Sequence, residues 1–126
     1  MLAQNFKTPA DLKITDAEFD ALAKVLGMLE RGDIKDYEFG MAAWYKTTAC
    51  GTVHCIGGWA RTILGAHAFN YTAPWTKDPL SRLFYPKAHY VAGRLVNAYD
   101  ATRDQAAIAL RNYLTHGEPR WEEALA

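Results

Sequence analysis

Apolar residues recur at helical spacing in several separate stretches of the chain. Phe19, Leu22, Leu26 and Leu29 make the first stripe. Thr15-Asp16-Ala17-Glu18, just ahead of it, has the form of a capping box, in which the Thr hydroxyl and the Glu carboxylate satisfy backbone donors left over at a helix start. Gly32 supplies a stop, because glycine adopts the left-handed conformation that ends many helices. The pattern predicts a helix over 16–31. Near the C-terminus the same grammar returns, with Thr102-Arg103-Asp104-Gln105 as a second capping box, Ala106, Ala109, Leu110, Tyr113 and Leu114 as the stripe and Gly117 as the stop. Pro119 then offers the start of a final turn carrying Trp121 and Leu125.

Between these two helices the pattern is less uniform. From Asp33 to Ala49, the residues Tyr37, Phe39 and Met41 alternate as in a strand, while Met41, Trp44 and Tyr45 fit a helical turn equally well. Thr52 reads as the N-cap of a helix ending at Gly65, with Val53, Ile56, Ala60, Ile63 and Leu64 on one face. Gly57 and Gly58 inside it each cost roughly 1 kcal/mol relative to alanine, so another element is expected to pack closely there. Ala66 to Lys77 reads as an aromatic-rich loop, Asp78-Pro79 as the start of a short helix that Pro86 ends, and Val91, Leu95, Ala98 and Tyr99 as one further helix. The expected fold is mainly α, a single-domain bundle of about five helices over residues 1–126, with a short strand or hairpin allowed near residues 33–49.

Composition narrows the function more than the fold. Half of the residues are hydrophobic, which places the chain among globular proteins. Fourteen Lys and Arg balance fourteen Asp and Glu, giving neither the basic field that nucleic acid attracts nor an acidic mimic of one. No stretch approaches the roughly 18 apolar residues of a membrane helix, and the start MLAQNFKTPADLK has no apolar core behind basic residues. The expectation is a cytoplasmic protein without a membrane or nucleic-acid partner. Its two cysteines, five positions apart, are too few and too local for a secreted disulfide framework, and their thiols are expected to be free.

Candidate chemistry gathers on Cys50-Gly51-Thr52-Val53-His54-Cys55-Ile56-Gly57-Gly58-Trp59. On a helical wheel begun at Val53, Cys55 falls at the margin of the apolar face, while His54 and Arg61 fall opposite. Cys50 precedes the expected N-cap, where the helix dipole and a nearby imidazole favour thiolate, so Cys50 with His54 is the candidate catalytic pair. Four readings compete. Packing leads, because a buried free cysteine usually behaves as a small inert hydrophobe. The others are a nucleophilic Cys50 with His54, His67, His89 or His116 as base, a local redox pair, and a zinc site completed by two histidines. No second compact ligand pair accompanies the cysteines, so neither a metal nor any other cofactor is expected. His67, Phe69, Tyr71 and Trp75, with Arg61, are the candidate binding residues, against the simpler reading of aromatics laid over the core.

The block Cys50 to Ala60 resembles a group of small, largely uncharacterised proteins of bacteria and their phages that carry a Cys-Gly-Thr-x-x-Cys-Ile-Ala-Gly-Trp-Ala signature. Gly57 stands here where the group has Ala. Phe39, Met41 and Trp44 upstream, Leu80 to Phe84, and Ala106 to Leu114 followed by Gly117-Glu118 extend the likeness over most of the chain. The resemblance implies a phage or prophage context and no particular activity. With no recognisable catalytic constellation or phosphate-binding loop, the expected function is that of a non-enzymatic accessory protein binding a protein partner. The alternative is a cysteine-dependent enzyme built on Cys50 and a histidine.

Overall fold

Capping boxes open three of the described helices. The computed structural model describes residues 5–35, 39–40, 46–48, 51–53, 56, 59–60, 63, 83, 88–91, 93–97 and 101–126. Helix α1 spans Pro9–Leu12, α2 Asp16–Arg31, α3 Arg103–His116 and α4 Trp121–Ala124. Thr15 Oγ1 accepts from Glu18 N–H at 3.1 Å while Glu18 Oε1 accepts from Thr15 N–H at 2.8 Å. Thr102 and Gln105 repeat the exchange at 3.2 and 2.9 Å. Gly32 and Gly117 close α2 and α3 in the left-handed region, at φ 76° and 86°. The boundaries read from the sequence for these two helices therefore hold.

Sequence reading passed over α1, although Thr8-Pro9-Ala10-Asp11 carries the same box with proline at the first turn. A one-turn helix is too short to show a stripe. At the other end α4 starts at Trp121, two residues beyond Pro119, from an Arg120 held at φ 48°.

Among the described residues, four short strands form two antiparallel hairpins. Strand β1, Lys46–Thr48, pairs with β2, Gly51–Val53, with Thr47 opposite Thr52. β1 thus falls inside the interval where a strand was allowed, but Thr52 is a strand residue and cannot be the helix N-cap. The helix itself is present further on, since Ile56, Trp59, Ala60 and Ile63 are helical. Strands β3, Ala88–Val91, and β4, Arg94–Asn97, form the second hairpin, in register Val91 opposite Arg94. This corrects the helix expected through Val91 and Leu95. Gly93 at φ +79° occupies the tight connection, a conformation that costs glycine nothing and interrupts any helix. Of the short helix expected after Pro79, Leu83 is helical and fully buried.

The described part of the chain is mainly helical, and α2 packs along α3, α3 against α4, and α4 against β3. Leu22, Val25 and Leu26 of α2 and Leu110, Tyr113 and Leu114 of α3 are all fully buried in one cluster with Ile34, Ile56, Ala60, Leu83 and Trp121. Two polar ties bind the helix pair at its edge. Arg111 donates from Nε and a terminal nitrogen to both Glu30 oxygens at 2.8 and 2.6 Å, and its guanidinium lies 5.8 Å from the Phe6 ring centroid. Arg103 donates to Ile34 O at 2.7 Å. The N-terminal segment joins in, with Lys7 N–H donating to Leu114 O at 2.7 Å and Phe6 meeting Phe19 edge-on at 6.1 Å. No described helix is long and apolar enough to cross a membrane.

Candidate functional site

The marked block is described at Gly51–Val53, Ile56, Trp59 and Ala60. Gly51 to Val53 are backbone-paired in β2, and three residues later Ile56 has entered the core with no exposed surface. Ala60, one helical turn on, is equally buried, while Trp59 and Ile63 pack against the same cluster from a half-buried position. Of the face expected to carry Ile56, Ala60 and Ile63, the first two are fully buried and Ile63 partly so.

Activation of Cys50 by a helix dipole requires Thr52 to be a helix N-cap. With Gly51, Thr52 and Val53 extended in β2, strand geometry follows Cys50 in the chain, and the helix-dipole premise for its thiolate falls away. Cys50, His54, Cys55, Arg61, His67, Phe69, Tyr71 and Trp75 lie outside the described residues. Among the described residues no three His, Cys, Asp or Glu side chains come together as a metal site would require.

Two features that sequence reasoning did not single out do appear. The first is the pair Glu18 and Tyr113 inside the α2–α3 interface. Glu18 is buried but has its cap partner, the Thr15 N–H. The Tyr113 hydroxyl is buried with no hydrogen-bond partner among the described residues, and burial, followed by the negative charge of Glu18, pushes its ionisation well above the usual tyrosine range. The position was legible as part of an apolar stripe; the stranded hydroxyl was not, because its isolation comes from packing between helices remote in sequence.

The second feature is an open groove of about 420 Å³ beside α2, lined by Asp20, Ala23, Lys24, Met28, Arg31 and Ile63. Its α2 members are spaced three and four apart, so they share the side of the helix turned away from Leu22 and Leu26. Met28 and Ile63 are half-buried and Asp20, Lys24 and Arg31 exposed. Arg31 donates to Asp33 at 2.9 Å. Its described lining offers apolar surface for contact and charge at the rim, and among the described residues no acid, base and nucleophile are grouped there.

No family model matches the chain, and no curated protein or solved structure matches it.

Proposed function

We propose that the chain is a non-enzymatic interaction protein, related through its cysteine-containing signature to phage and prophage accessory proteins, that acts in the cytoplasm by binding a protein partner. In this reading the fold is a bundle of about five helices, with the helical residues Ile56, Trp59, Ala60 and Ile63 in the fifth. The aromatic stretch His67, Phe69, Tyr71 and Trp75, with Arg61, contributes to the partner surface, and no cofactor takes part.

One observation supports it above the others: Ile56 and Ala60, members of the marked block, are fully buried in the core. A segment that anchors the helix pair from inside has a structural reason for its composition, and small thiols at its edges are in keeping with packing.

Cys50 alkylation followed across pH, together with a Cys50→Ser variant in a phage-fitness or host-growth assay, tests this reading. The expected thiol ionises near the free value of about 8.5, and the folded variant keeps full effect. A Cys50 half-ionised near neutrality, combined with a folded but inactive Cys50→Ser, overturns it in favour of a cysteine nucleophile with His54 as the first base to examine.

A further inference from the structure

Residues 5–7 cross the seam between α2 and α3. Phe6 meets Phe19 edge-on at 6.1 Å, and Lys7 N–H donates to Leu114 O at 2.7 Å. Phe19 follows Glu18 in α2 and Leu114 follows Tyr113 in α3, so the crossing lies at the level of the Glu18 and Tyr113 pair. The Lys7 stem extends over the end of α3, 3.6 Å from where a Cβ on Gly117 would stand. Among the described residues, the bond from Lys7 is the one backbone bond that ties residues 5–7 to the helix pair. Just beyond them the chain is fastened again, because Thr8 and Asp11 exchange cap bonds at 3.4 and 3.1 Å and Leu12 of α1 is buried in the core.

Closure of this segment has opposed contributions. It half-buries Phe6, adds the edge-on ring contact and sets the Phe6 ring 5.8 Å from the Arg111 guanidinium. Against these stands the Tyr113 hydroxyl, sealed in without a hydrogen-bond partner among the described residues, a penalty large enough to shift an equilibrium roughly tenfold. Water satisfies such a hydroxyl wherever it reaches it. We propose that residues 5–7 form a strap hinged at Thr8, which opens while α2 and α3 stay packed, baring Phe19 and admitting water to the Tyr113 hydroxyl. The fold then has two native states, strap closed and strap open, with one stranded hydroxyl set against one aromatic side chain. The strap acts on the helix pair alone, so it stands or falls separately from the function proposed above.

Native-state amide exchange on the full chain, followed by NMR, reads the strap directly. The Lys7 amide should exchange at least about tenfold faster than those of Val25 and Leu110, and at a rate that low urea leaves unchanged, because strap opening exposes little surface. Tyr113→Phe removes the stranded hydroxyl and should slow Lys7 exchange roughly tenfold. Phe6→Ala should hasten it and also bring the Tyr113 ionisation, raised by burial, down toward the ordinary tyrosine value. Tyrosinate absorbance follows that titration, and the double variant Phe6→Ala/Tyr113→Phe identifies the contribution of Tyr113. A Lys7 amide with the same rate and urea dependence as Leu110 opens only with the whole fold and overturns the proposal. So does a Lys7 rate unchanged in Tyr113→Phe, or a Tyr113 that titrates in Phe6→Ala as in the wild type, because the strap then does not cover the hydroxyl.

Discussion

The α2–α3 pair and the β3–β4 hairpin are held in opposite ways. Each helix closes its own backbone bonds, caps its own ends with Thr and Gly, and then needs only a partner for its apolar stripe. The hairpin closes its bonds between strands across a glycine and rests on α4 through β3, while Leu95 of β4 stands 63% exposed. An element complete in itself can be assembled from local signals, whereas one completed by a neighbour depends on what the rest of the chain brings to it.

The largest test of that difference removes the neighbour. Trp121 of α4 is fully enclosed, and Trp121→Ala is expected to cost about 3–5 kcal/mol in urea unfolding. Trp59→Ala, at a half-buried ring, should cost clearly less, and an equal loss would place Trp59 deeper than its exposure indicates. Amide exchange on the Trp121 variant sharpens the comparison, since protection should fall further in β3 than in the middle of α2.

Backbone strain gives the next effect. Gly93 and Gly32 both sit at positive φ with nothing within 4 Å of an added Cβ, so alanine at either meets conformational cost alone, about 1–2 kcal/mol. Both variants should lower stability similarly by thermal melting. If Gly93→Ala is harmless while Gly32→Ala is not, the hairpin contributes little to global stability.

Tyr113 adds a pH signature to the helix pair. Its ionisation is raised in the fold above the ordinary tyrosine value of 10.0, so the stability linked to this hydroxyl is fully present below pH 10 and is lost as pH rises beyond it. Denaturant midpoints should therefore fall above pH 10 at up to about 1.4 kcal/mol per pH unit from this group, and less steeply in Tyr113→Phe. At neutral pH the Phe variant should be as stable as the wild type or more so, because it removes a buried hydroxyl that has no partner. A large loss at neutral pH would show that the hydroxyl is engaged after all.

The smallest expected effect is the Arg111–Glu30 tie. A double-mutant cycle with alanine should return a coupling of about 0.2–1 kcal/mol, in keeping with a partly exposed pair, and it should shrink in salt. Arg111→Ala alone should lose somewhat more, because the Phe6 ring loses its cation.

Legibility in the sequence follows the same division. Helices 16–31 and 103–116 could be read because Thr15, Glu18, Gly32, Thr102, Gln105 and Gly117 act within their own turns. The hairpin at 88–97 was misread as helix because Val91 and Leu95 satisfy a four-residue spacing by coincidence, while the turn at Gly93 carried the contrary signal. Thr52 was misread for a related reason: a threonine before an apolar run suits a strand as well as an N-cap, and the pairing with Thr47 decides. The groove and the stranded Tyr113 hydroxyl arise where different elements meet, so no single stretch of sequence displays them.

The bond from Arg111 to Glu30 joins residues 81 positions apart. During synthesis, at roughly 5–20 residues per second, α2 therefore leaves the ribosome several seconds before the helix that will cover Leu22, Val25 and Leu26. For that interval its stripe is capped, helical in tendency and uncovered, the condition in which chains recruit chaperones or one another. Slowing translation between codons 32 and 102 should lengthen this exposure and lower the soluble yield without altering a single side chain.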